Sequence, residues 1–230
     1  MNISNNFNKN SFRIKSFVRR SGRLSKGQKN AIKNFSKEFS IPFSKNFINY
    51  ENEFKNKKNV ILEIGTGMGE TITKMAADMP NKNFLGVEVY KPGIGSLLKK
   101  IKDFEINNIL IINQDVVDVL DLMIPPMSLE GINIFFPDPW HKFKHNKRRL
   151  IQTPFIKLIS SRLKKSGYIH CTTDCKDYAD QINKLFNLER SLENILNNCN
   201  LKPAFRPTTK FEKKALEQGH NIWDFNYKKL

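Results

Sequence analysis

The sequence predicts an α/β protein built on a doubly wound, mostly parallel sheet. Two observations carry that reading. From about residue 59 onward, short apolar runs alternate with longer helical patterns, and such alternation makes parallel strands covered by helices. The run Val60-Ile61-Leu62-Glu63-Ile64 leads straight into Gly65-Thr66-Gly67-Met68-Gly69-Glu70. A buried strand that ends in alternating glycines is a turn whose backbone must lie close to a ligand, because a Cβ would block both the turn and the approach.

The elements follow in order. Strands are expected at 59–64, 83–88, 109–113, 132–136 and 167–172. Pro92 is placed to open a helix running through Phe104, and Pro154 one running through Leu163, since proline fits the first helical turn. Segment 176–197 reads as mainly helical. Met1 to Lys37 holds ten Lys/Arg and no acid. It is expected to form a partly disordered basic arm (1–37), followed by one domain over 38–230. Arg19-Arg20 precede no apolar segment, which speaks against export.

The second strand, Phe84-Leu85-Gly86-Val87-Glu88, ends in a carboxylate that can accept hydrogen bonds from ribose hydroxyls. The glycines are spaced Gly65-x-Gly67-x-Gly69, not G-x-G-x-x-G, and Glu70 opens the helix after them. A carboxylate there repels a pyrophosphate, and Glu63 adds another acid. S-adenosylmethionine, with its sulfonium and α-amino group, fits this better than NAD. A mere turn in an α/β domain is the bland alternative, weakened by Glu88 at the second strand end.

At 230 residues the chain can bury one sizeable core. Lys+Arg 39 against Asp+Glu 22 gives a formal charge of +17, which favours a polyanionic partner, although an AT-rich coding bias also raises lysine. Cys171, Cys175 and Cys199 form no C-x-x-C pair. No metal site or disulfide framework follows, and a reducing cytoplasm is the expected compartment. No apolar run is long enough to span a membrane. There is no diagnostic interface stripe, and a monomer is expected over a homodimer.

The fourth strand runs into Pro137-Asp138-Pro139-Trp140, a loop stiffened by two prolines that holds an acid at the strand ends. His141-Lys142-Phe143-Lys144-His145-Asn146-Lys147-Arg148-Arg149 follows, with five cations in nine residues. At the mouth of a ligand crevice, such a run reads as a phosphate clamp rather than a solvated face.

These residues resemble the bacterial tRNA (guanine-N7-)-methyltransferases. The signature F-F-P-D-P-W-x-K-x-x-H-x-K-R-R stands at Phe135 to Arg149. The likeness extends through Ile169 to Asp174, Arg206 to Glu212, Gly219 to Asp224, and Ser16 to Leu24 with Gln28. The last of these speaks against a cleaved transit peptide. One departure is Lys214-Ala215, where the family often has Arg-Gly. The resemblance implies a Rossmann-like class I methyltransferase fold, S-adenosylmethionine as cofactor and tRNA as partner, methylated at position 46 of the variable loop. It implies that Glu63, Gly65, Gly67, Gly69, Glu88, Asp115 and Asp138 form the cofactor site, with Asp138 also catalytic. Lys142, Asp174, Thr209, Lys210, Phe211 and Glu212 would hold the target nucleotide. Lys144, His145, Asn146, Lys147, Arg148 and Arg149 would contact RNA. Asp174 is also placed to cap the helix after it. The alternatives are an amino methyltransferase acting on adenine or cytosine, a non-catalytic RNA-binding protein, and an NAD-dependent oxidoreductase.

Overall fold

A computed structural model describes residues 22–195, 202 and 206–230, without the side chains of Lys210 and Phe211. Arm residues 1–21, Cys199 and the end of the 176–197 segment lie outside the described residues. The sheet holds β1 (Val60–Ile64), β2 (Asn83–Val87), β3 (Ile109–Ile112), β4 (Leu129–Phe135), β5 (Leu163–Thr173), β6 (Leu192–Asn194) and β7 (Trp223–Lys229). Their spatial order is β3-β2-β1-β4-β5-β7-β6. β1 to β5 pair in parallel, while β7 runs antiparallel between β5 and β6. The order reverses between β1 and β4, so a crevice opens at their carboxyl ends.

The near-continuous apolar character of these strands follows from burial on both faces. Leu62, Ile64, Leu85, Val87 and Ile132 face α5 (Val116–Leu122), α6 (Thr153–Arg162) and α7 (Lys176–Asn187) through Val119, Ile156, Tyr178 and Ile182. Ile61, Phe84, Ile109 and Ile111 face α1 (Lys26–Phe39), α3 (Glu70–Asp78) and α4 (Lys91–Asp103) through Ala31, Ile72, Leu97 and Ile101. Alternate residues of one strand therefore serve two cores. Two short helices complete the order, α2 (Tyr50–Phe54) and α8 (Lys210–Glu217).

Two expectations meet a different structure. Helix α7 stops at Asn187, and Leu192–Asn194 form the edge strand β6 instead of continuing it. Strand pairing of Leu192 with Lys229 and of Asn194 with Tyr227 wins over local helix propensity there. Helix α1 runs across the arm boundary expected at residue 37. Ser25 caps it in a reciprocal box with Gln28, and Ile32, Phe35 and Phe39 pack on the core. Just beyond it, Ile41 donates to the Ile111 carbonyl and closes the edge of β3.

Gly95 permits the contact between α1 and α4. A Cβ there would lie 2.8 Å from Gln28 Cβ and 2.9 Å from its carbonyl oxygen. Helix propensity alone makes Gly→Ala stabilising by about 1 kcal/mol, whereas overpacking costs about 1–3 kcal/mol. Gly95→Ala should therefore lower stability, and Gly27→Ala, with only the Ser25 hydroxyl as near as 4.0 Å, should raise it. Urea denaturation of both variants reads the two signs. A stabilised Gly95→Ala protein would mean that α1 is not seated on α4.

Candidate active site

The glycine turn is built for close approach. Gly65, Gly67 and Gly69 have φ of 76°, 52° and 80°, a region that favours glycine. A Cβ on Gly65 or Gly67 would meet nothing within 4 Å, so both border open space. At Gly69 a Cβ would lie 2.6 Å from Leu97 Cδ1, so its bareness also serves the packing of α3 on α4. Glu88 holds the turn. Its carboxylate accepts from the Gly67 amide at 2.7 Å and from those of Val89 and Tyr90 at 2.7 and 2.8 Å. Glu70 pairs loosely with Lys100 at 3.6 Å, and Lys100 also donates to the Met68 carbonyl.

Beneath the turn lies Glu63, 2 % exposed, whose Oε2 has no hydrogen-bond partner among the described residues. The buried Thr66 hydroxyl in the same turn is likewise unmatched. Burial, and then the neighbouring Glu88, push the Glu63 carboxyl up to about 8. Glu88 also shifts up: burial and Asp138 raise it, against the three amides that lower it. An unmatched buried acceptor, two acids and open glycines fit a ligand with a cationic centre. Asp115, buried at the end of the β3 region, accepts from Val117 N at 3.0 Å and caps α5. A groove of about 550 Å³ adjoins this side, between α1 and α4. Asn113 lines it and donates to the Glu88 carbonyl.

Across the switch point, Phe136 and Trp140 bracket Pro137-Asp138-Pro139 with φ of 50° and 48°. Such left-handed residues cost about 1–3 kcal/mol each and persist only when the surroundings hold them. Here Phe136 N donates to Thr172 O, and Arg149 Nε donates to Pro139 O, both at 2.8 Å. Asp138 itself is exposed and within electrostatic reach of Glu88.

The basic run is a 3₁₀ turn, Phe143–Arg148. Lys142, Lys144 and Lys147 are exposed, and Arg148 lies 5.0 Å over the Trp140 ring. His145 is edge-on to Trp140, and partial burial plus the cations Arg148, Lys144, Lys142 and Lys147 lower its pKa, keeping it neutral. The Asn146 carbonyl accepts from Gln152 and Arg149, which fixes the turn. Arg149 corrects the expectation of an RNA contact. It is 3 % exposed, donates to Pro139, Gln181 and Asp177, and lies 4.8 Å over Tyr178. Its charge is spent on holding the Asp138 loop to α7.

The C-terminal motif forms a capping box: Thr209 accepts from Glu212 N, and Glu212 accepts from Thr209 N. Glu212 is not a free nucleotide ligand, because the fully buried Arg206 grips both its oxygens and Lys202 adds a third donor. Arg206 also donates to Asp224, which accepts from His170 and Thr172 at 2.6 and 2.7 Å. Residue spacing alone did not expose Arg206, His170 and Asp224 as one cluster, since sheet pairing assembles it. Asp174, half-buried at the end of β5, does not cap α7; Cys175 occupies that position without a side-chain bond. Among the described residues no group of His, Cys, Asp and Glu is arranged to hold a metal ion, and no helix is long and apolar enough to cross a membrane.

A strand order that reverses at β1/β4, a glycine turn over an orphaned acid and an acid-bearing loop opposite define a class I methyltransferase. Solved structures share the architecture. They include the 16S rRNA methyltransferase KamB (TM-score 0.58, 12 % identity, 80 % of this chain and 94 % of that one). A second is a 30S ribosomal A1408 methyltransferase from an uncultured bacterium (TM-score 0.53, 18 % identity, 78 % and 94 %). A family described as "Putative methyltransferase" matches residues 57–225. The tRNA (guanine-N(7)-)-methyltransferase of Ralstonia pickettii is 47 % identical over 94 % of this chain and 85 % of its own length. That of Paraburkholderia xenovorans is 46 % identical over 94 % and 84 %. The chain belongs to the tRNA (guanine-N7-)-methyltransferase family.

The Arg206 cluster makes a stability prediction. Burial raises the carboxyls of Glu212 and Asp224, but the bonds and charges of Arg206, Lys202 and His170 outweigh it, and both stay below their ordinary values of 4.5 and 3.8. Burial lowers His170 below 6.5, with Asp224 opposing. In all three the unfolded chain binds protons more readily, so their stabilisation is present at neutral pH. It is lost on acidification, first from about 6.5 as His170 is forced to charge, then through the carboxyl range. Arg206→Met should cost about 3–5 kcal/mol, because it removes the cation shared by two buried carboxylates, and should blunt the carboxyl part of that acid lability. Urea denaturation at pH 7 and pH 4 would check both; a loss under 1 kcal/mol at neutral pH would show the cluster to be solvated.

Proposed function

We propose that this chain transfers a methyl group from S-adenosylmethionine to N7 of a guanine in tRNA, at position 46 of the variable loop, to give 7-methylguanosine. The observation that carries the reading is the open glycine turn over the orphaned Glu63 acceptor, with the pinned Asp138 loop and a basic turn beside it. The names of the relatives agree with the reaction and with tRNA as its substrate, and the position follows from the resemblance alone. Glu88 would take the ribose hydroxyls, Asp115 the adenine amino group, and Glu63 the cationic end. The cofactor, when bound, supplies an electrophilic methyl on a sulfonium.

Guanine N7 carries a lone pair and no proton, so no residue has to remove one, and neither His141 nor His145 is needed as a base. The task of the chain is to align N7 with the methyl group, exclude water and accommodate the positive charge that appears on the base. Orientation can contribute about 7–11 kcal/mol to such a transfer. Asp138, with Asp174 at the neighbouring strand end, would orient the base edge and stabilise that charge. Lys142 and the Thr209–Glu212 segment would border the nucleotide, and Lys144, Lys147 and Arg148 would meet phosphates. Mapping 7-methylguanosine in bulk tRNA by borohydride/aniline cleavage tests the proposal: a new cut in the variable loop supports it, and methylation elsewhere or on an amino group refutes it.

Asp138→Ala should slow methyl transfer by about 10²-fold, the scale of one lost electrostatic contact, while leaving tRNA affinity within about twofold. Asp138→Asn should keep part of the rate. Equal losses in binding and rate would remove Asp138 from the reacting centre.

The raised Glu63 adds a pH dependence. Below about 8 its carboxyl is protonated in the free protein, and a cationic ligand favours the ionised form. Binding should release a proton, so affinity should tighten with rising pH, by up to about tenfold per unit, and level off above about 8. Calorimetry in two buffers of different ionisation enthalpy counts the proton. Glu63→Gln should abolish that release; an unchanged count would acquit Glu63.

A further inference from the structure

Phe143 is 91 % exposed, at the first position of the 3₁₀ turn that carries Lys144, Lys147 and Arg148. It is presented firmly. His145 N donates to Lys142 O at 2.7 Å, Arg149 N to Asn146 O at 3.0 Å, and the buried Arg149 ties the turn to Pro139 and α7. The neighbouring aromatic is already engaged: Arg148 lies over the Trp140 ring and His145 meets it edge-on. The residue in between offers a bare ring, five positions past Asp138, amid cations and with no acid in the turn.

We propose that Phe143 is a stacking platform for an unpaired base of the substrate RNA, next to the nucleotide being methylated. The inference rests on tRNA being the substrate. An exposed ring on a braced turn, bordered by lysines and an arginine, matches single-stranded nucleic acid on both counts. The cations meet the phosphates, and the π-face takes a base of any identity. A guanine presented to the crevice must leave its stack, and its neighbour then exposes a face that Phe143 can cover. Fixing the backbone of the turn in advance lowers the ordering cost of that contact. Charge complementarity selects RNA over an apolar peptide.

The full-length protein, assayed on tRNA transcripts, tests this with Phe143→Ala, Phe143→Leu and Phe143→Trp. Base–aromatic stacking lost to alanine corresponds to about 5-fold to about 150-fold in affinity, so Phe143→Ala should raise the tRNA KM by about tenfold and leave the S-adenosylmethionine KM unchanged. Phe143→Trp should restore it and Phe143→Leu should not, because leucine is apolar without a π-face. The salt dependence of tRNA binding should keep its slope in Phe143→Ala, whereas Lys144→Gln should flatten it by about one phosphate contact. Tryptophan emission of the Phe143→Trp protein should be quenched by tRNA beyond the change seen in wild type. A wild-type KM in Phe143→Ala, or full recovery by leucine, overturns the proposal. So does a Phe143-dependent affinity for anionic phosphatidylserine vesicles with no change in tRNA KM, which would make the ring a membrane contact. Absence of N7 methylation by the wild-type protein would refute the functional reading instead.

Discussion

A single guanidinium, that of Arg206, holds together the half of the molecule that carries the C-terminal motif. It is fully buried and meets two carboxylates, Glu212 at the start of α8 and Asp224 on β7. Asp224 in turn gathers His170 and Thr172 of β5. Arg206 also lies 6.0 Å from the centre of the Phe135 ring, at the last residue of β4 before the strained loop. Removing the cation would take from two buried carboxylates the one guanidinium they share, and a buried charge short of its partner costs far more than a surface pair contributes. The motif and the loop are therefore set relative to one another through one residue that touches neither reacting atom.

The other half depends on Glu88. Its carboxylate takes three backbone amides, one from the glycine turn after β1 and two from the chain after β2. The conformation of the Gly67 turn is thus coupled to the same group that would receive a ribose. Gly93 tightens the arrangement, since a Cβ there would fall 2.3 Å from the Gly67 carbonyl oxygen. Both sides of the crevice between β1 and β4 are thus braced by side chains, which suits a reaction that depends on alignment rather than on proton transfer.

Much of this was legible in the residues. Five parallel strands announced themselves as apolar runs, and the helices after Pro92 and Pro154 began within one residue of expectation. The glycine turn and Glu88 also emerged from local spacing. What stayed hidden depends on partners distant in sequence. The strand β6 looked helical because its three residues gain their conformation only from β7. Helix α1 resembles a charged arm in sequence, because its apolar residues Ala31, Ile32, Phe35 and Phe39 are diluted by lysines. Gly69 and Glu212 stand out in sequence by their place in a motif, and only the packing of Leu97 and Arg206 against them shows what else they do. Asp174 looked like a cap, yet the chain turns one residue later.

The cations separate into two populations that composition cannot distinguish. Arg149, Arg162 and Arg206 are buried, and each is paired with acids of its own chain. Guanidinium suits this work, because its planar fork can meet several acceptors at fixed angles. Lysines, by contrast, dominate the exposed surface of the basic turn at 142, 144 and 147, where a flexible point charge can follow a phosphate. Adjacent residues illustrate the division: Arg148 lies over Trp140 at the surface, and Arg149 turns inward to Asp177 and Pro139. A basic block therefore overstates its phosphate contacts by the cations that its own fold consumes. What it gains in exchange is rigidity, since the inward arginine fixes the turn from which the outward charges act.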